Sequence, residues 1–217
     1  MPGKPLKAER PVVPSAVMGF EQLYAHNCAG CHGGDGKLGA SLPLNVPVYL
    51  EWVGKNNLIE ITSEGVAGTT MPAFVDSAGG TLTKQQIESL VVQMLAKWGQ
   101  PDAAKDVPLP SYRGSAGNPA NGAAAYQTFC ASCHGKAGKG GAKAGSIVDG
   151  AYLSLISDQA LRTLVVAGRQ DLGMPDWRGY VKGRSMTAQE VDDVVAWLTS
   201  QRQRFPGRPY GDRKQVQ

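Results

Sequence analysis

Cys28-Ala29-Gly30-Cys31-His32 and Cys130-Ala131-Ser132-Cys133-His134 are the two stretches from which the rest of the sequence is read. They lie 102 residues apart, and the register continues well beyond them. Tyr49-Leu50 returns as Tyr152-Leu153 and Met71-Pro72 as Met174-Pro175, both at 103 residues, and Thr83 returns as Thr187 at 104. Leu58, Ile61 and Gly65 are paralleled by Leu161, Leu164 and Gly168. A drift this small is what two single-residue loop insertions produce, so the chain is a duplication of one structural unit, not a chance recurrence of five residues. The units are placed at 16–99 and 114–205. Residues 100–113 join them, where Pro101, Pro108 and Pro110 favour an extended connection, and 206–217 form a basic tail.

Both units read as helical. Phe20, Leu23, Tyr24 and Cys28 fall on one helical face, as do Gly122, Tyr126, Phe129 and Cys130, so each cysteine pair closes an N-terminal helix. The last helix of each unit carries an apolar stripe, Ile87, Leu90, Val91 and Leu95 in one and Val191, Val194, Val195 and Leu198 in the other. Both helices open with a capping box, Thr83-x-x-Gln86 and Thr187-x-x-Glu190. The expected fold is all-α, two tandem small helical bundles. Glycine is abundant, 28 of 217 residues, and clusters after each cysteine pair and in the connections, as expected of loops wrapped around something other than protein.

Two thiols three residues apart with an imidazole immediately after them can bond both vinyl groups of a haem while setting the histidine beneath the iron. A structural zinc site would pair two such motifs roughly 15–20 residues apart, and a redox dithiol would sit in a βαβ context. Here the motifs are 102 residues apart and the chain is helical. Neither alternative explains why two of only three histidines follow the cysteine pairs directly. The expectation is two haem c groups, attached through Cys28, Cys31, Cys130 and Cys133, with His32 and His134 as iron ligands.

The sixth ligand must come from elsewhere. His26 is the one remaining histidine and reads as a solvated surface residue of the first helix. Met71 and Met174 occupy matching positions, each before a proline, 39 and 40 residues after His32 and His134. That is room enough for the chain to cross a haem and return on its other face. They are the expected thioether ligands, ahead of Met18, Met94 and Met186, none of which has a counterpart in the other repeat. Histidine–methionine ligation favours ferrous iron, raises the potential and closes the position a gas or substrate would take, which suits a carrier of electrons. Tyr49, Trp52, Tyr152 and Trp177 are candidates to line the crevices or donate to propionates, with plain core packing as the alternative.

These residues resemble the class I cytochrome c family arranged in tandem, as in the two-domain dihaem cytochromes c of bacterial respiratory chains. The resemblance rests on Cys28-Ala-Gly-Cys31-His32 with Met71, on Cys130-Ala-Ser-Cys133-His134 with Met174, and on the framing helices. It implies an electron-transfer protein and not an enzyme, carrying single electrons in a respiratory or photosynthetic chain. It implies redox partner proteins, among them a membrane-bound respiratory complex, and a periplasmic or otherwise extracytoplasmic site. The free carrier and the bound subunit both stay open, as does a rival class, a dihaem peroxidase-like enzyme or a redox or gas sensor with one open iron. In this family a proline after the motif often offers its carbonyl to the proximal histidine. Pro43 is placed to do so for His32, whereas Gly145 or Ser146 stands in that place for His134.

Charge and hydropathy narrow the partners. The net charge of +4 is concentrated at the ends: +2 over 1–15 and +4 over 201–217, against −3 over 16–99 and +1 over 114–200. No basic stripe interleaves with aromatics, which argues against nucleic-acid binding. Arg202, Arg204, Arg208, Arg213 and Lys214 read as a solvated tail or a docking element. Lys136, Lys139 and Lys143 cluster after the second motif, where the first has Asp35 and Lys37. Different partners for the two haems are therefore expected. No apolar run reaches the roughly 18–20 residues of a membrane span, and Met1 to Pro14 has no hydrophobic signal core. An export signal or anchor lost from the native chain, with Pro2, Pro5, Pro11 and Pro14 as remnants of a tether, is the expectation that reconciles this with maturation outside the cytoplasm.

Overall fold

The computed structural model describes residues 12–203, and the basic tail 206–217 lies outside them, as do Pro2, Pro5 and Pro11 of the N-terminal tether. The chain divides between Ala103 and Ala104 into two compact units. Among the described residues there are nine α-helices and no β-strand, only isolated bridges.

In the first unit, α1 (Phe20–Asn27) and α2 (Ala29–His32) are followed by α3 (Pro47–Glu64) and α4 (Lys84–Trp98). The capping box of α4 forms as its sequence dictates. The Gln86 amide donates to Thr83 Oγ1 at 3.2 Å, and the Thr83 amide donates to Gln86 Oε1 at 2.9 Å. The other end of that glutamine side chain is used as well. Its Nε2 donates to the carbonyls of Pro14 and Val17, both at 2.9 Å, and fastens the segment before α1. α4 packs against both α1 and α3. The core holds Leu23, Leu50, Val53, Ile87, Leu90 and Val91. Phe20, Tyr24 and Trp98 add an aromatic cluster with ring centroids 5.0–5.4 Å apart. α3 breaks at Gly54, whose φ of 72° leaves the helical region.

The second unit repeats the plan with α5 (Pro119–Phe129), α6 (Ala131–His134), α7 (Gly150–Leu155), α8 (Asp158–Ala167) and α9 (Ala188–Ser200). Ser157 stands where the first repeat has Gly54. Here the break is complete, because the Ser157 hydroxyl caps α8 by accepting from the Ala160 amide at 3.1 Å. α9 opens with the second capping box, Thr187 and Glu190. α5 and α9 meet at Gly122, where a Cβ would run into the Asp193 carbonyl, so only glycine permits the approach.

This unit also has a buried ion pair, which the described residues of the first lack. Arg162 and Asp192 form an ion pair whose side chains are 4% and 8% exposed. Arg162 Nη2 donates to the Ser111 carbonyl at 2.7 Å, and Gln159 Nε2 to the Tyr112 carbonyl at 3.0 Å. The Ser115 amide donates to Asp192 at 3.2 Å and the Asn118 amide to Asp193 at 2.7 Å. Residues 111–118 are thereby strapped to α8 and α9. Backbone groups make further hydrogen bonds to both members of the pair, the kind of support a buried ion pair requires.

Candidate haem sites

Each Cys-x-x-Cys-His motif spans the end of one helix and a single further turn. Cys28 terminates α1, its amide donating to the Tyr24 carbonyl at 2.8 Å, and α2 then carries Cys31 and His32. Cys130 and α6 do the same in the second unit. After the histidine the chain reverses at a glycine with positive φ, 85° at Gly33 and 77° at Gly135, a conformation other residues rarely adopt. A tyrosine one turn upstream locks each reversal. Tyr24 Oη donates to the Gly33 carbonyl at 2.8 Å and Tyr126 Oη to the Gly135 carbonyl at 2.5 Å. Sequence reasoning assigned these tyrosines only to the helix face. The signal that marks them is a tyrosine four residues before the first cysteine and a glycine directly after the histidine, both repeated at 102 residues.

The histidines are oriented through Nδ1. His32 Nδ1 lies 2.7 Å from the carbonyl oxygen of Leu42, and His134 Nδ1 lies 2.9 Å from that of Gly145. A carbonyl only accepts, so Nδ1 carries the proton in each ring and Nε2 keeps its lone pair for a metal. The acceptor for His32 is thus Leu42, one residue before the expected Pro43. Pro43 acts indirectly: it is buried, and a residue preceding proline is confined to extended conformations, which fixes the Leu42 carbonyl. In the second unit Gly145, not Ser146, supplies the acceptor. Burial lowers the His32 pKa below its ordinary value, partly offset by the bond to Leu42, and this too favours the neutral, ligating ring.

None of the four cysteines is in a disulfide. Burial, with a smaller contribution from the paired cysteine, pushes Cys28 up to about 11 and Cys130 up to about 12. Among the described residues, no three of His, Cys, Asp and Glu converge on a point that could hold a metal ion.

Met71 and Met174 stand in the loops after α3 and α8, and both are partly exposed. Met94 and Met186 are 4% and 3% exposed and belong to the core, while Met18 is on the surface. His26 is exposed at the end of α1. The two methionine loops are held differently. The Met71 amide donates to Thr69 Oγ1 at 3.1 Å, and the Met71 carbonyl accepts from Val66 at 3.0 Å. Met174 exchanges both backbone bonds with Arg169 at 3.0 Å. Bidentate pairs, Arg169 with Asp171 and Arg178 with Asp176, flank it on either side. Of the aromatic candidates, Tyr49, Trp52 and Trp177 are buried and Tyr152 is partly so. Trp177 Nε1 is buried without an acceptor, a demand that a carboxylate of a bound group would meet. Its counterpart in the first repeat is Phe74, which has no donor.

Two small helical units, each built on a Cys-x-x-Cys-His turn with its histidine presented through Nε2, are tandem cytochrome c domains, whose family binds haem c covalently. The chain belongs to the family described as cytochrome c oxidase, cbb3-type, subunit III, which matches residues 15–92 and again 117–198. It is similar to the Cbb3-type cytochrome c oxidase subunit CcoP of Azospirillum sp. (strain B510), 29% identical over 156 residues, covering 67% of this chain and 47% of that protein. It is also similar to subunit FixP of Rhizobium etli, 28% identical over 177 residues, covering 75% and 54%. The chain spans about half the length of these curated relatives. Among solved structures, the Kuenenia stuttgartiensis reducing HAO-like protein complex Kustc0457/Kustc0458 aligns with 89% of this chain and 100% of that one, at 19% identity and a TM-score of 0.48. No helix among the described residues is long and apolar enough to cross a membrane.

Proposed function

We propose that this chain is the dihaem electron-transfer part of a membrane-bound respiratory oxidase, working on the periplasmic side. One haem c occupies each of the domains 16–99 and 114–205. Cys28 and Cys31 anchor the first and Cys130 and Cys133 the second. His32 with Met71, and His134 with Met174, would hold the two irons. The bound haem supplies reversible one-electron chemistry.

This chain's own residues do the rest. Leu42 and Gly145 hold the histidines in the tautomer that ligates. The Tyr24 and Tyr126 hydroxyls fix the turn on which each histidine sits. The Met71 and Met174 thioethers, as ligands, would keep water and gases off the iron and the sites from turning over a substrate. The observation that carries this reading is the duplicated histidine Nδ1 to carbonyl bond within two matching repeats, each with its own Met-Pro. The names of the similar proteins, subunits of a cbb3-type oxidase, support the placement in a respiratory complex.

Coulometric titration of the holo-protein, followed optically, tests the proposal. Two one-electron steps per chain and low-spin spectra in both oxidation states are expected. Rapid carbon monoxide binding by the ferrous protein, or turnover of peroxide, would instead make one haem a substrate site.

A further inference from the structure

The two loops that follow the attachment motifs differ in how they hold the histidine acceptor. In the first unit the Ser41 amide donates to the Cys31 carbonyl at 2.9 Å, tying the loop to α2 just before Leu42, and buried Pro43 follows. In the second unit the residue at the register of Ser41, Ala144, instead accepts from the Gly141 amide at 2.9 Å, so Gly141–Ala144 closes as a turn, which the Gly140 amide ties to the His134 carbonyl at 2.9 Å. Gly141, Ala142, Lys143, Gly145 and Ser146 are all exposed. Glycines at 135, 138, 140, 141 and 145 leave the backbone little side-chain restraint. The acceptor of His134 is therefore mounted on an exposed turn, whereas that of His32 is locked beneath a proline.

The same turn bears charge. Lys136, Lys139 and Lys143 are exposed, and none has a carboxylate partner among the described residues. Lys143 sits inside the turn, two residues before Gly145. Three unpaired cations on one loop fit a protein surface rich in carboxylates. The exposed large apolar residues, Val12, Val13, Met18, Leu38, Val92, Leu155 and Leu172, all lie outside this loop, so it lacks the apolar face that seats a segment in a lipid surface.

Resting on the two-haem reading above, we propose that loop Gly135–Ser146 docks an acid-faced redox protein through Lys136, Lys139 and Lys143 and reports the docking to the second haem. Seating the partner clamps the Gly141–Ala144 turn and tightens the bond from His134 Nδ1 to Gly145. A stronger bond at Nδ1 makes the imidazole a better electron donor and lowers the reduction potential. The first haem, its acceptor locked by Pro43, does not respond.

The test uses the full holo-chain and a short poly-glutamate peptide as the acidic surface. Binding is followed by calorimetry, and the two potentials by optical redox titration. The expected result is binding that weakens with salt, a downward shift of one potential only, and a shifted His134 Nδ1 proton resonance with that of His32 unmoved. Lys136→Gln, Lys139→Gln and Lys143→Gln together abolish both binding and shift. Ser146→Pro copies the first unit's proline at a position whose amide donates no hydrogen bond. It retains the affinity but loses most of the potential shift, which separates clamping from the bare field of a bound anion. A full shift in Ser146→Pro, equal shifts at both haems, an unmoved His134 resonance, or a response to anionic lipid vesicles but not to the peptide would overturn the proposal. Failure to find two potentials in the untreated protein would instead remove the two-haem reading beneath it.

Discussion

His32 Nδ1 donates to the carbonyl of Leu42 at 2.7 Å, and that single bond fixes which ring nitrogen is free to face an iron. His134 and Gly145 repeat the arrangement at 2.9 Å, so both histidines present Nε2. Met71 and Met174, in the loops after α3 and α8, are the residues proposed as the second ligands.

Met71→Ala and Met174→Ala each remove one thioether. Each variant is expected to lose about half of the near-infrared absorbance in which methionine sulfur transfers charge to ferric iron, and to lower one of the two potentials. The double variant loses all of it. An undiminished band in either single variant would move the ligand elsewhere.

Tyr24 Oη donates to the Gly33 carbonyl, and burial raises its pKa well above the ordinary phenol range. The native state therefore binds a proton that the unfolded chain releases at about pH 10, and the stabilisation is complete below that value and declines as pH climbs above it. Tyr24→Phe is expected to cost about 0.5–1.5 kcal/mol at neutral pH and to flatten part of the alkaline decline. Denaturant titrations of the holo-protein between neutral and strongly alkaline pH would measure both.

Arg162 and Asp192 are buried together, and each also holds backbone from residues 111–115. Arg162→Met leaves a buried carboxylate unpaired, and the expected destabilisation of the second unit is about 3–5 kcal/mol. Replacing both residues by apolar ones should recover much of it. Hydrogen exchange at the Ser115 and Asn118 amides is the sensitive readout, since the first donates to Asp192 and the second to its neighbour Asp193: protection should fall in the single variant at Ser115 first.

The features legible in the sequence are those set by local spacing. The capping boxes at Thr83 and Thr187 and the helices ending at Cys28 and Cys130 follow from residues within one or two turns of each other, the duplication shows because such local patterns recur at 102–104 residues, and the structure has them all. What could not be read depends on distant pairs or on a single backbone atom. Arg162 and Asp192 are 30 residues apart in different helices, and nothing in either local pattern marks them as buried. The choice of Leu42 over Pro43 turns on which of two adjacent carbonyls faces the ring. The stripe on α4 was placed through Leu95, yet Met94 and Trp98 are the buried residues of its last turns, because Trp98 closes the aromatic cluster with Phe20 and Tyr24.

The central claim is that each unit carries one covalently attached haem. Intact-mass analysis of the purified holo-chain, followed by protease digestion and peptide mapping, measures this directly. The expected mass is that of the polypeptide plus two haem groups, with one haem on the peptide containing Cys28 and Cys31 and one on that containing Cys130 and Cys133. A single haem, or a motif peptide recovered with free thiols from fully matured protein, would contradict the account.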